Sequence, residues 1–302
     1  MPTSLTAEPA RGLAMIREQC GLTSGEARLI RFTMNAVYRL GDRVIRLNRG
    51  EPARQRAARV VAGTALLHRH GVPAVELVDD IVQPVVAGDW VATVWHYLPH
   101  PPGRPAAVEL VEPLARIHAI TEPVTFLPAW SPMTSVRHRL SAAGDDFTRA
   151  WAVERAGMRL DTLVGRLTAQ CAELDRRIAA ATWELPPGVI HGDAHVGNLL
   201  AGRLCDFDSL AVGPREWDHV PLAHSVVRFG DPAEPYREFA AAYGFDLTGS
   251  PAWPLLRDIR DLQLATSVFE GLAGRPEVAE NQAHRLRTYL AGDETARWSR
   301  HL

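Results

Sequence analysis

The first hundred residues alternate short apolar runs with polar punctuation. Arg28–Phe32, Val37–Leu40 and Val44–Leu47 are parted by Thr33-Met34-Asn35-Ala36 and by Gly41-Asp42, which predicts an antiparallel meander. Leu13–Cys20 precedes them as a short amphipathic helix. From Pro52 to His70, Val60, Val61, Thr64, Leu67 and His68 fall near helical spacing, and the pattern stops at Gly71-Val72-Pro73. Two more strands are expected at Val75–Val86 and Trp90–Tyr97, separated by Ala87-Gly88-Asp89. Beyond the Pro/Gly-rich stretch Leu98–Pro105 the period changes. Ala106–Ile120, Leu160–Ala181, Trp217–Phe229, Pro235–Tyr243, Pro254–Leu272 and Ala279–Leu290 read as helices; only Val189–His191 and Leu199–Phe207 keep strand character. The chain therefore predicts an α+β architecture: a β-rich lobe at 1–97, a linker at 98–105 and a helical lobe at 106–302.

Composition narrows the class. With 46% hydrophobic and 23% charged residues among 302, the chain is ordinary for a water-soluble globular protein. A formal net charge of −2 gives no bulk attraction to nucleic acid or to an anionic membrane. Cys20, Cys171 and Cys205 lie far apart without CxxC spacing, which fits a reducing cytosol. The first residues lack the apolar segment of a secretory leader, and no run reaches the roughly 18–20 apolar residues of a membrane helix, so a cytoplasmic location is expected. All 33 basic residues are arginine. That matters where a chemistry favours lysine.

Candidate chemistry concentrates in residues 189–208, V-I-H-G-D-A-H-V-G-N-L-L-A-G-R-L-C-D-F-D. A hairpin centred on Gly202 would set Asn198 opposite Asp206, about 5 Å away. Asp208, two residues on, would share that face. An amide oxygen and one or two carboxylates would then converge beside Asp193. A few hard oxygen ligands, with room for water and phosphate, suit Mg²⁺ better than zinc. Phosphoryl transfer needs such a set: a carboxylate to take the acceptor hydroxyl's proton, here Asp193, and metal held by Asn198 and Asp206 to neutralise phosphate charge.

His191-Gly192-Asp193 followed by Asn198 and by Asp206-Phe207-Asp208 resembles the catalytic signature of the aminoglycoside phosphotransferase family, related to choline kinases and more distantly to protein kinases. Other landmarks follow in the family's order over roughly residues 27–272: Asn35–Leu40 resembles its first hairpin, Gly71-Val72-Pro73 the end of its N-lobe helix, and Pro113–His118 its "LA-x-LH" helix. The resemblance implies a two-lobe protein-kinase-like fold that binds ATP (or GTP) and Mg²⁺ and phosphorylates a hydroxyl of a small molecule. It implies a nucleotide loop at Thr33–Ala36 including Asn35, a phosphate clamp at Arg46 and an adenine-binding hinge at Trp95, Tyr97 and Leu98. Asp218, in Arg215-Glu216-Trp217-Asp218, matches the downstream Asp that braces the catalytic loop. One departure stands out. Kinases pair the clamp with a helix glutamate, yet Pro52–Val75 contains no Asp or Glu.

On the acceptor side, Asp258 and Asp261 are three residues apart and would share a helix face, with Glu270 further on. His195, inside the catalytic loop, and Asp208 complete the candidate substrate residues. Carboxylates there would suit an aminoglycoside or other basic antibiotic, while amino alcohols, sugars and nucleoside or macrolide antibiotics remain open. Two other readings compete. A metal-dependent hydrolase would use His191, Asp193, His195, Asp206, Asp208 and His219 as a water-activating cluster. A nucleotide-binding pseudokinase would explain the missing helix glutamate.

Overall fold

The meander closes as expected because each run is short and each break is polar. In the computed structural model, which describes residues 7–32, 35–99, 102–269, 272 and 275–300, strands β1 (Ala27–Phe32), β2 (Ala36–Leu40) and β3 (Arg43–Arg49) pair antiparallel. Strand β5 (Trp90–His96) lies beside β3, and the edge strand β4 (Val85–Ala87) completes a sheet of order β1-β2-β3-β5-β4. Helix α1 (Ala7–Gln19) buries Leu13 and Ile16 against Tyr38, Ile45, Leu47 and Val94.

Val75–Val86 is not the continuous strand its composition predicts; Leu77 makes an isolated bridge to Trp95, and only Val85 and Val86 belong to a strand, β4. The physical reason is Gln83. Its side chain donates to the Val78 and Val94 carbonyls at 3.0 and 2.9 Å and accepts from the Val94 amide at 2.7 Å, so a side chain replaces ladder bonds. Helix α2 (Glu51–Arg69) begins at Gly50-Glu51-Pro52, a start suited to proline's missing N–H, and stops ahead of Gly71, which adopts φ +64°.

Contacts divide the chain into two units, residues 1–128 with 188–212, and residues 129–187 with 213–302. The first unit also holds helix α3 (Val111–His118), strand β6 (Gly188–Ile190) and the hairpin β7 (Leu199–Leu200)–β8 (Arg203–Leu204); β6 pairs with β9 (Ala211–Gly213), whose last residue marks the boundary. The second unit is helical: α4 (Thr134–Ala142), α5 (Asp146–Glu154), α6 (Leu160–Ala179), α7 (Val220–Phe229), α8 (Glu234–Tyr243), α9 (Trp253–Ala265) and α10 (Pro276–Leu290). Helices α4 and α5 are additions to the sequence reading. The signal for α5 is Asp145, which caps the helix by accepting from the Thr148 amide and hydroxyl at 2.9 and 2.6 Å. Helix α9 ends at Ala265, short of the expected Leu272. No helix among the described residues is long and apolar enough to cross a membrane.

Candidate active site

The segment from His191 to Asp208 is held by its own backbone and side chains. His191 is fully buried; its Nδ1 faces the Asp193 amide at 3.4 Å, so its Nε2–H donates to the Cys205 carbonyl at 3.0 Å. The ring stands edge-on to Phe207, with centroids 5.8 Å apart. His191 thus ties the loop to the Asp-Phe-Asp segment. Gly192 sits at φ +86°, and a Cβ there would lie 2.2 Å from the Ser209 carbonyl oxygen, so only glycine permits this approach. Asp193 is about one-third exposed, and the Asn198 side-chain amide donates to its backbone carbonyl at 3.0 Å. His195 caps the next turn by accepting from the Gly197 amide at 3.0 Å, which leaves Nε2 facing the Asp193 carboxylate at 3.7 Å.

The hairpin register differs from expectation by one residue. Leu199 pairs with Leu204 and Leu200 with Arg203, so the loop is Ala201-Gly202, with φ of +50° and +74°. Two left-handed residues make the I′-type turn whose twist suits a two-residue hairpin. Asn198 therefore faces Cys205, whose amide donates to its carbonyl at 2.9 Å, rather than Asp206. Nor do Asp206 and Asp208 alternate along a strand. Asp206 is left-handed (φ 66°, ψ 66°), and Phe207–Ser209 form a short 3₁₀ turn that separates the two carboxylates. Burial pushes the Cys205 thiol up to about 12, with the Asp206 charge adding to it, so this cysteine is an inert wall of the turn.

The two acids meet Arg46. Its Nη1 and Nη2 reach both oxygens of Asp208 at 3.0 and 2.6 Å, and Nη2 also lies 3.2 Å from Asp206. Turned so that its oxygen faces the guanidinium, the Asn35 amide accepts from Nη2 and Nε at 2.6 and 3.1 Å. Asn48 and Arg56 join Asn35, Arg46 and Asp208 in lining one recess, together with Ala53, Ala57, Val60 and Thr93. Sequence reading did not single out Asn48 or Arg56; strand alternation from Arg46 and helical spacing from Ala53 were the available signals. Among the residues expected to form the hinge, the Trp95 indole donates to Thr93 Oγ1 at 2.8 Å, while the Tyr97 amide donates to the Asp42 carbonyl at 2.7 Å. Leu98 is half-buried, and Thr33 and Met34 of the expected nucleotide loop lie outside the described residues.

In the second unit Asp218 is fully buried, in the 3₁₀ turn Arg215–His219 that precedes α7. Beside it, Trp217 packs against Trp130 at 5.1 Å, and the Glu216 carboxylate accepts from the Leu185 amide at 2.9 Å. Asp261 is buried, taking Arg228 on both oxygens (2.9 and 2.5 Å) and His224 at 2.8 Å. Asp258 pairs with Arg177 at 2.8 Å and approaches Arg257 at 3.6 Å. The structure thus places Asp258 and Asp261 in internal ion pairs, and Glu270 lies outside the described residues.

The residues proposed for a divalent cation suit one chemically. Asn198 is buried and directs its Nδ2 to Asp193, which leaves Oδ1 as a neutral hard donor; Asp206 is half-exposed and adds a carboxylate. Among the described residues no group of three or more His, Cys, Asp or Glu is placed to share an ion.

A small antiparallel sheet with its helix and an HGD loop followed by an Asp-Phe-Asp turn define a two-lobe, protein-kinase-like α+β fold. Solved structures share it: a spectinomycin phosphotransferase in complex with ADP and spectinomycin (14% identity, 94% of this chain and 98% of that one, TM-score 0.62). An amicoumacin kinase with AMP-PNP and Ca²⁺ matches over 99% of this chain and 98% of its own (14%, TM-score 0.62). A choline kinase of Streptococcus pneumoniae covers 92% and 98% (14%, TM-score 0.64). The profile of the phosphotransferase enzyme family matches residues 32–259, and the chain belongs to that family. No curated protein gives a significant sequence match.

Proposed function

We propose that this phosphotransferase transfers the γ-phosphoryl group of ATP (or GTP) to a hydroxyl of a small molecule of the antibiotic or amino-alcohol kind, in the cytoplasm. Residues 1–97 form the nucleotide lobe, 98–105 the hinge and 106–302 the acceptor lobe. Asp193 takes the hydroxyl proton, and Asp218 braces the loop. Asn35, Arg46 and the Trp95–Leu98 segment hold the nucleotide; Asn198 and Asp206 hold Mg²⁺, which when bound supplies positive charge to the phosphates. The observation that carries this reading is the self-bonded catalytic loop. His191 and Asn198 fix the Asp193 backbone from both sides while its carboxylate stays partly open to solvent, as an orienting base requires. Adenine nucleotides in two of the structural neighbours support the choice of donor, and their acceptors support the choice of substrate class.

The test is Mg²⁺-dependent ATP consumption across hydroxylated antibiotics and amino alcohols, with mass detection of the added phosphate. An acceptor-stimulated rate that Asp193→Ala lowers by about 10²–10⁴-fold is expected, with nucleotide affinity retained. An Asp193→Ala protein of near-normal turnover would remove the base from the mechanism. Nucleotide binding without turnover for any acceptor would favour the pseudokinase reading.

A further inference from the structure

Where kinases set an acid against their clamp, α2 presents the opposite charge. The face of α2 that lines the recess carries Ala53, Arg56, Ala57 and Val60. No Asp or Glu occurs from Pro52 to Val75, and Glu51, at the helix start, is exposed and paired with Arg54. The acid in the recess is Asp208, carried on the turn after Phe207. We infer that Asp208 is the positioning residue for the Arg46 phosphate clamp, in place of a helix glutamate; the inference rests on the phosphotransferase reading above.

Three features support the assignment. First, the geometry is that of a fork on a fork, Nη1–Oδ1 at 3.0 Å and Nη2–Oδ2 at 2.6 Å, which a carboxylate offers to arginine and cannot offer to lysine. The clamp's arginine and the unusual acid partner thus go together. Second, the two acids differ in availability. Asp208 is 26% exposed and bonded through both oxygens, whereas Asp206 is 46% exposed and touched through one, so Asp206 stays open to a cation while Asp208 holds the arginine. Third, α2 still fixes the partner, by packing rather than by charge. A Cβ at Gly63 would lie 2.6 Å from Leu210 Cδ2, so the helix presses on the chain one residue after the turn that bears Asp208. Arg46 has five N–H donors; Asp208 takes two and Asn35 takes Nε and the second Nη2 proton, which leaves the second Nη1 proton to turn to phosphate.

The experiment reads binding, so it needs no acceptor. Calorimetric affinity for Mg·ATP and Mg·GTP is measured for the wild type, Asp208→Asn, Arg46→Ala and the double variant, with thermal melts to establish folding. Asp208→Asn is expected to weaken binding of the nucleotide the protein prefers about tenfold, the order of effect of losing a charge-assisted pair, and to have no further effect once Arg46 is alanine. Adding Arg56→Glu to Asp208→Asn returns an acid to the recess from α2 and is expected to recover most of the loss. Equal affinity of wild type and Asp208→Asn, or an equal loss with and without Arg46, overturns the inference. A wild type that binds neither nucleotide sinks the phosphotransferase reading instead, and the two failures are told apart by that single measurement.

Discussion

The Asn198 side-chain amide donates to the backbone carbonyl of Asp193 at 3.0 Å. One residue thereby serves two groups in the proposed mechanism: its nitrogen fixes the loop that carries the proposed base, and its oxygen is left for the proposed cation. The two roles separate in Asn198→Asp, which keeps an oxygen donor and gains charge but replaces the amide donor with a carboxylate against a carbonyl. The expected outcome is a fall in kcat of about 100-fold, the scale of a misplaced reacting group, despite a better metal ligand. Steady-state turnover across a Mg²⁺ titration checks this. An unchanged kcat would show that the loop does not depend on the bond.

What the sequence could show follows from how local each determinant is. Strands β1–β3 and β5, and helices α2, α6, α7 and α8, are bounded by glycine, proline or polar residues within a few positions, and their apolar spacing repeats. Val75–Val86 misleads because the partner of the Val94 amide is a side chain, Gln83, and no periodicity encodes that. The hairpin register misleads because Ala201 takes a left-handed conformation that alanine does not advertise, which shortens the loop by one residue. The motif from His191 to Asp208 was legible as a family signature, because its residues lie close together in the chain. The Arg46–Asp208 pair was not, since its members stand 162 positions apart and meet only through the packing of the sheet and α2.

The Ala201-Gly202 turn gives a stability test. Alanine at φ +50° is held in a region costing roughly 1–2 kcal/mol for an ordinary L-residue, whereas asparagine tolerates it and Asn-Gly is the preferred I′ pair. Ala201 is exposed, so the change buries nothing. Ala201→Asn should raise stability by about 0.5–1 kcal/mol and leave turnover unchanged, as read from urea unfolding and initial rates. A destabilised Ala201→Asn protein would contradict the two-residue register.

Gly192 supports the opposite prediction. In Gly192→Ala the new methyl meets the Ser209 carbonyl oxygen at 2.2 Å, on backbone that has no side-chain rotamer to yield. The residue must also hold φ +86°. Loop and Asp-Phe-Asp turn would have to part, moving Asp193 relative to Asp206. A kcat loss of about 100-fold or more is expected, with a lowered melting temperature. Wild-type kinetics in Gly192→Ala would show that the two segments need not touch.

The Arg228–Asp261–His224 group sets the acid sensitivity of the second unit. Burial lowers the His224 pKa below its ordinary 6.5, against the opposing pull of Asp261. Burial alone would raise Asp261, but the hydrogen bonds from His224 and Arg228 outweigh it and hold the carboxyl below 3.8. Both folded values are depressed, so the unfolded chain takes up protons first as pH falls. Stability is therefore full above about pH 6.5, begins to decline below it through His224, and declines further below 3.8 as Asp261 is protonated. Asp261→Asn leaves Arg228 buried without a counter-charge, which costs on the order of 3 kcal/mol at neutral pH. Because the wild-type carboxylate loses its advantage only once the unfolded chain's carboxyl is protonated, the gap between wild type and Asp261→Asn should narrow as pH falls below 3.8. Urea unfolding across that range decides the matter: a gap constant with pH would mean that Asp261 is held by packing and that its charge contributes nothing.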